Sequence, residues 1–512
     1  MANTSRIVRN VVANWLGLAI NMAVAVFMAP FLVHRLGDSM YGLWILLLSV
    51  TGYMGLLDAG LKVSVVKHVA RYHALSDTTS VSRVISTAFA IYGGLGVVIV
   101  GLSVVLSPFV PQWFAMPSAA AAIARTVLLI TALTLATTLV LSVFNGLLAG
   151  LQRYDHTNRI GAGLVIVRSV VIVAFVAQGF GIVALGLIHL GSQLVGGLLI
   201  VRQAFKEVPG LRISWSLVGT GTAKTLYSYS FYILLNNMAM FLLFNSAEIV
   251  IGAMIGVAAV TYYAIAGSLL QYLSRLIGTM TQVLHPYASA QDAKGDAEGV
   301  SRIIIYGTKA CLLIGLPVSV TFILIGKEFI RFWMGQPYAD VAAPLLVFLT
   351  IGRLFWLSQS STGNVLLGIG RHKLLTAINL ATGVAGLGLG ALLIRPMGLL
   401  GMAVGMFIPM VITQGLVLPP LTARLFHIPL MQYWKRAYVP PLAAVTPYAA
   451  LLATLLALVR PGNLFVLGAV VLVSLPALLI AAYYICLTPE QRKAFKDQYQ
   501  IWLPLSLASG RR

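Results

Sequence analysis

Residues 84–107 read VISTAFAIYGGLGVVIVGLSVVLS, a run with no Lys, Arg, Asp or Glu anywhere in it. A helix of about 20 apolar residues spans a hydrocarbon layer of about 30 Å. Such a run is therefore long enough to cross a bilayer and has no polar stripe with which to face water. The same window finds fourteen such stretches along the chain, at approximately 11–33, 40–61, 84–107, 121–149, 160–178, 181–201, 226–248, 252–284, 304–326, 341–368, 374–394, 397–420, 437–459 and 463–487. Loop chemistry separates them, as at Leu36-Gly37-Asp38-Ser39, Gly179-Phe180-Gly181 and Arg460-Pro461-Gly462. The fold class that follows is an all-α integral membrane protein of about 14 transmembrane helices.

The rest of the composition agrees. Of 512 residues, 59% are hydrophobic and only 9% charged, against about 25% charged in a soluble protein. Too few charges are present to cover a water-soluble domain, and hydrophobicity this high excludes a disordered chain. The two cysteines, Cys311 and Cys486, both sit in apolar runs, which leaves no disulfide framework and no cysteine metal site. No histidine, including His189 and His285, has convincing metal-ligand spacing, so neither metal nor cofactor is expected.

The 34 Lys and Arg outnumber the 13 Asp and Glu to give a net charge of +21. Most of these cations fall at alternate span ends, among them Lys67, Arg71, Arg153, Arg159, Arg202, Lys206, Arg212, Lys224, Lys435 and Arg436. Placing both termini in the cytoplasm puts these residues inside and leaves Arg35, Arg125, Lys327, Arg331, Arg395 and Arg460 on or near the far side. The excess charge thus reads as positive-inside topology and anionic-lipid contact, not nucleic-acid binding. The tail 488–512, with Phe495, Tyr499 and Trp502 among basic residues, is expected as an amphipathic segment on the inner surface.

An internal echo recurs at an offset of about 218 positions. Leu147 to Tyr154 aligns with Val365 to His372, Gly37 to Trp44 with Gly256 to Tyr263, and Gly181-Ile182-Val183 with Gly398-Leu399-Leu400. Six spans per copy, an even number, make the two lobes parallel, related by an axis along the membrane normal. The expected organisation is an N-terminal six-helix lobe (1–212), a C-terminal six-helix lobe (213–430), two additional helices (431–487) and the tail, with a central cavity between the lobes.

Gly55-Leu56-Leu57-Asp58-Ala59-Gly60-Leu61-Lys62, followed by Lys67-His68-Val69-Ala70-Arg71-Tyr72, resembles the signature that closes the second helix of bacterial polysaccharide-biosynthesis flippases. Asn245 to Gly252 followed by Gly256, with acidic Glu248, is similar to the same family's seventh-helix exit. These proteins belong to the multidrug/oligosaccharidyl-lipid/polysaccharide exporter superfamily. The resemblance implies a flippase, not an enzyme. Its substrate would be a polyprenyl-diphosphate-linked oligosaccharide, such as an O-antigen or exopolysaccharide repeat unit, moved from the cytoplasmic to the periplasmic leaflet of the bacterial inner membrane by alternating access. Polysaccharide polymerase and export proteins are candidate partners.

A diphosphate held in mid-membrane requires fixed cations, and sugar hydroxyls require amides and aromatic faces. Arg168, Arg275 and Arg353 are the basic residues well within spans, and at offset 218 their counterparts are Gly386, Leu57 and Leu135, so they are not a duplicated packing device. Each could instead snorkel to an interface, a reading that weighs most on Arg275. Asn236 and Asn237, a turn or two from Tyr229 and Tyr232, are candidate sugar contacts. Asp58 and Lys62, four apart, form either a local ion pair or a cytoplasmic gate. Glu248, expected at the end of span seven, is either a proton or sodium site or a solvated helix end. Gly401 and Gly405 read as close helix packing.

Two rival transport functions stay open: a cation-coupled multidrug or metabolite exporter of the same superfamily, and a peptidoglycan-precursor flippase. An ATP-driven pump is unlikely on motif grounds, since Gly326-Lys327 lacks both the upstream glycine and the following Ser or Thr of a phosphate loop. A membrane glycosyltransferase would need a DxD triplet and a larger extracytoplasmic loop than any present.

Overall fold

Asp77, Asp296 and Asn463 each stand just before a long apolar run, and each accepts a hydrogen bond from a backbone N–H three residues on, at 2.8–2.9 Å. These caps satisfy donors that the first turn of a helix otherwise leaves orphaned. The computed structural model describes residues 21–493 apart from Ala59, Ser228 and Tyr229, and among them there are helices and no strands. The start of the first expected span, Tyr229, the Tyr232 side chain and the tail from residue 494 lie outside the described residues.

In chain order the principal helices are α1 (Asn21–Leu36), α2 (Asp38–Gly55), α3 (Leu61–Ala74), α4 (Thr78–Leu106), α5 (Ser118–Gly150), α6 (Tyr154–Ala177) and α7 (Ile182–Glu207). There follow α8 (Ser230–Asn245), α9 (Ala247–Met254), α10 (Val257–Gln282), α11 (Leu284–Ala293), α12 (Ala297–Met334), α13 (Gln336–Ser358), α14 (Ser360–Gly368), α15 (His372–Met397), α16 (Leu399–Leu425), α17 (Leu430–Val459) and α18 (Leu464–Cys486). The chain is an all-helical membrane protein.

The described residues carry fewer than the fourteen expected spans by length and apolar character. Among the described residues, eleven helices are long and apolar enough to cross a membrane, or twelve if α8 and α9 form one bent span. Of the two remaining expected spans, the described part of α1 is a shorter apolar helix. The other, α10, has the length but carries Thr261, Tyr262, Tyr263, Ser268, Gln271, Ser274 and Arg275, which dilute its apolar character. Three local details add to this pattern. The basic stretch Lys67 to Tyr72 is part of a helix, α3, whose Leu61, Val65 and Val69 are fully buried. The span expected at 341–368 is a single span over 336–368, with a turn at Gln359 between α13 and α14. The span expected at 226–248 bends by 48° between Asn245 and Ala247, so Glu248 opens a helix and does not end one.

By its contacts the chain falls into two compact units. The first takes the chain up to Ile265 together with Thr376–Met406, and the second takes Ala266–Leu375 and the chain from Phe407 onward. These limits do not coincide with those of the sequence echo. Gly383 of α15 packs on Leu242 of α8, so contacts draw α15 and the start of α16 into the first unit.

In the first unit, α2, α4, α5 and α7 share two apolar cores, one around Ile85, Ile99, Leu139 and Leu147 and one around Trp44, Leu47, Leu128 and Leu185. Glycines permit the closest approaches. A Cβ on Gly401 would lie 2.1 Å from the Leu393 carbonyl oxygen, and one on Gly405 2.2 Å from the Gly390 nitrogen, so α15 and α16 touch backbone to backbone, as the spacing of small residues anticipates.

The second unit packs α12 against α13, α17 and α18 around Ile304, Leu312, Tyr433 and Tyr448. A buried polar network joins these helices. Gln359 Nε2 donates to the Tyr438 hydroxyl at 2.5 Å, and the Thr308 and Tyr433 hydroxyls are 3.1 Å apart. Cys311 and Cys486 are both buried free thiols.

Candidate functional site

Most of the charged and amide candidates of the first unit are arranged around α2. At its C-terminus the chain makes a single 3-10 turn, Leu56–Asp58, and then reverses into α3 through Gly60, whose φ of 78° and ψ of 15° lie in the left-handed region that favours glycine. This explains the glycine in the Asp-Ala-Gly signature. The turn aims Asp58 at α4, where the fully buried Tyr92 hydroxyl donates to its carboxylate. No ion pair joins Asp58 to Lys62 among the described residues; Lys62 is exposed and acts on Asp58 through its charge and its backbone N–H.

On one side of α2, Tyr53 meets the helix break. Its hydroxyl is hydrogen-bonded to Ser246 Oγ, and its ring packs edge-on against Phe241 with centroids 4.6 Å apart. Ser246 Oγ also donates to the Phe241 carbonyl at 3.0 Å, and Glu248 is close enough to act electrostatically on Tyr53. The break between α8 and α9 thus carries a hydroxyl pair beside a half-buried carboxylate. Asn236 and Asn237, half-buried on α8, have no hydrogen-bond partner among the described residues. Their helix packs on the turn that holds Asp58.

Trp44 projects from the opposite face of α2, nine residues from Tyr53 and so about 180° around the helix. Its indole, 5% exposed, lies 5.2 Å from the His189 ring of α7. Arg168 of α6 bears electrostatically on that imidazole. The guanidinium is half-buried and makes no hydrogen bond or ion pair among the described residues. It sits about 21 Å from one end of α6 and about 14 Å from the other. That is deep within a span and beyond easy reach of either surface.

The second unit holds the other two arginines. Leu273 and Ile277 of α10 join Cys311 and Leu357 in one apolar cluster. Arg275 is two residues from each, about 200° around the helix, and accordingly points away from the cluster and is exposed. Arg353 is four residues before Leu357 on α13, shares its face and is half-buried. Its neighbours in sequence are firmly packed, Gly352 against Phe407 and Met410 and Leu354 against Gly315.

The structure therefore groups Asp58 with Tyr92, Glu248 with Tyr53 and Ser246, and Arg168 with His189 and Trp44. The sequence reading missed Tyr92, Tyr53 and Trp44, and took His189 only as a failed metal ligand. Tyr92 is 34 residues from Asp58 and Tyr53 is 193 from Ser246, and no spacing rule connects positions so distant.

Comparison with known proteins places this geometry. The family described as polysaccharide biosynthesis protein matches residues 35–343, more than half of the chain. The chain belongs to the polysaccharide biosynthesis protein family. A Shigella flexneri protein assigned as an O-antigen transporter is 21% identical over 435 residues, covering 82% of this chain and 99% of its own. Among solved structures, the lipid II flippase MurJ in an inward closed conformation aligns with a TM-score of 0.68 at 13% identity, over 93% of this chain and 98% of that one. An inward-facing multidrug resistance MATE transporter of the MOP superfamily aligns with a TM-score of 0.63 at 17% identity, over 80% and 94%. These structures show that the family member described here has the MOP-superfamily fold. The family and its neighbours are transporters and flippases, not catalysts.

Proposed function

We propose that this protein is a flippase that carries a polyprenyl-diphosphate-linked oligosaccharide from the cytoplasmic to the periplasmic leaflet of a bacterial inner membrane, both termini being cytoplasmic. The observation that carries this reading is Arg168. An intramembrane cation is costly and ordinarily faces a partner or a cavity. Arg168 has no carboxylate or hydrogen-bonding partner among the described residues, and it bears on the His189 imidazole. An anionic ligand is the group that would complete it, and a diphosphate matches the fork of guanidinium donors.

In this reading Arg353 and Arg275 supply further positive charge from the second lobe, and Asn236 and Asn237 offer unsatisfied amides to the sugars. The lobes of the sequence echo exchange access between the two leaflets. Asp58 and Lys62 shape the cytoplasmic mouth. Glu248, held at a helix break beside the Tyr53–Ser246 pair, is the site for a coupling proton or sodium ion.

Native mass spectrometry of protein extracted gently from its own membrane tests the reading. A bound polyprenyl-diphosphate glycan is expected, and Arg168→Gln should weaken it by about 10- to 100-fold, the worth of one charge-assisted hydrogen bond. Arg353→Ala should abolish glycan export while leaving insertion intact. Wild-type protein that retains no such lipid and binds small organic cations would overturn the reading in favour of an exporter. Flipping indifferent to imposed proton and sodium gradients would remove the coupling role of Glu248.

A further inference from the structure

A groove of about 630 Å³ opens on the first unit between α4, α5 and α7. Gly93, Val97 and Gly101 line it from α4, Leu133 from α5, and Leu194 and Leu198 from α7, with Thr137 the single polar lining residue. From Gly93 to Gly101 it runs about 12 Å along α4. Its rims are strongly exposed, Val97 at 74% and Leu198 at 64%. At its base the buried Gly96 packs on Ala136, 3.2 Å from an added Cβ, while a Cβ at Gly93 or Gly101 would meet nothing within 4 Å, so the lane is open on either side of Val97.

What sets this groove apart from an ordinary lipid-facing surface is the charge at one end of it. On α7 Arg202 stands one turn beyond Leu198 and Lys206 a further turn on, each step rotating by about 40° around the helix. Both cations are exposed, and neither makes an ion pair or hydrogen bond among the described residues. They stand at the basic end of the helix, where a bilayer has its headgroups. An apolar lane leading to two free cations is complementary to a lipid with a long tail and a strongly anionic head.

We propose that this groove seats the isoprenoid tail of the lipid to be translocated, with its diphosphate at Arg202 and Lys206, as a docking position on the outer face of the protein. The proposal deepens the flippase reading and rests on it. Lateral docking would concentrate a scarce lipid at the transporter and fix the orientation of its head group.

The test uses the full chain in phosphatidylethanolamine vesicles and a polyprenyl diphosphate whose tail carries a photoreactive diazirine, with cross-linked positions mapped by peptide mass spectrometry. Labelling is expected at 93–101, 133–141 and 194–198, and excess unlabelled polyprenyl diphosphate should compete it away while phosphatidylglycerol does not. Gly93→Leu and Gly101→Leu fill the lane and should reduce labelling about tenfold, equivalent to about two methylenes of tail excluded from it. Gly94→Leu, also with nothing within 4 Å of its Cβ but outside the lining, should label as wild type. Arg202→Gln with Lys206→Gln should weaken labelling by a similar factor. Competition by phosphatidylglycerol as strong as by polyprenyl diphosphate would overturn the proposal and leave a general lipid crevice. So would equal labelling of the Gly93→Leu and Gly94→Leu proteins. If wild type binds the glycolipid in native mass spectrometry yet fails these tests, the groove proposal alone falls; if it binds none, the flippase reading falls with it.

Discussion

Replacing Gly42 with alanine probes how α2 is held at its N-terminal end. Gly42 is buried, and an added Cβ would lie 2.1 Å from the Val257 carbonyl oxygen and 3.0 Å from Thr261 Oγ1. Ordinary contact begins at 3.4 Å, so α2 and the start of α10 would have to part by about 1.3 Å. Two hydrogen bonds bridge the same seam, from Thr261 Oγ1 to the Asp38 carbonyl at 2.7 Å and from the Tyr262 hydroxyl to Asp38 Oδ2 at 2.9 Å. Such a separation would stretch both to about 4 Å, beyond hydrogen-bonding range.

Overpacking costs about 1–3 kcal/mol and each lost hydrogen bond about 0.5–1.5 kcal/mol, against about 0.5–1 kcal/mol regained from alanine in a helix. The net expectation is a loss of about 1–5 kcal/mol. Gly94→Ala is the matched control. With nothing within 4 Å of its Cβ, it should gain about 0.5–1 kcal/mol. Reversible unfolding in mixed micelles, followed by helix content, measures both. If Gly42→Ala is as stable as Gly94→Ala, the seam between α2 and α10 is not packed as described.

Tyr92→Phe removes the hydroxyl that donates to Asp58 and should destabilise by about 1–3 kcal/mol. In a double-mutant cycle with Asp58→Asn the two losses should be less than additive, whereas strict additivity would show that the pair is not coupled. Asp77 caps α4 from outside the membrane, and its hydrogen bond to Ser80 holds its carboxyl below the usual carboxylate range. Its contribution is therefore complete above the unfolded value of about 3.9 and is lost as pH falls through the lower folded value. Helix content measured between pH 6 and pH 3 should fall less steeply in Asp77→Ala than in wild type; identical profiles would show that the cap carries no pH dependence.

The candidate site was only partly legible along the chain. Arg168, Arg275 and Arg353 stand out because an isolated charge in an apolar run is visible in any window. Their different settings are not visible there. Arg275 turns outward because two residues advance a helix by about 200° from Leu273 and Ile277, while Arg353 shares the face of Leu357. Asp58 and Lys62 have the spacing of an ion pair, yet the 3-10 turn before Gly60 directs the carboxylate to Tyr92 on another helix. Glu248 reads as a helix end because the apolar run continues through residue 245 without a proline or glycine to mark the 48° break.

The sequence by itself determined that this chain lives in a membrane, that its described residues form helices, and where most of those helices begin and end. Those properties follow from local quantities: the length of apolar runs against the thickness of a bilayer, caps three residues from the donors they satisfy, and the scarcity of charge. Which polar groups meet was decided only by the tertiary structure. Trp44, His189 and Arg168 come from three different helices, and Tyr53 from a helix other than the two that Ser246 joins; what brings them together is the rotation and depth at which those helices pack. These depend on side-chain shape across the whole core, above all where glycines let backbones touch, and no single stretch of sequence contains that information.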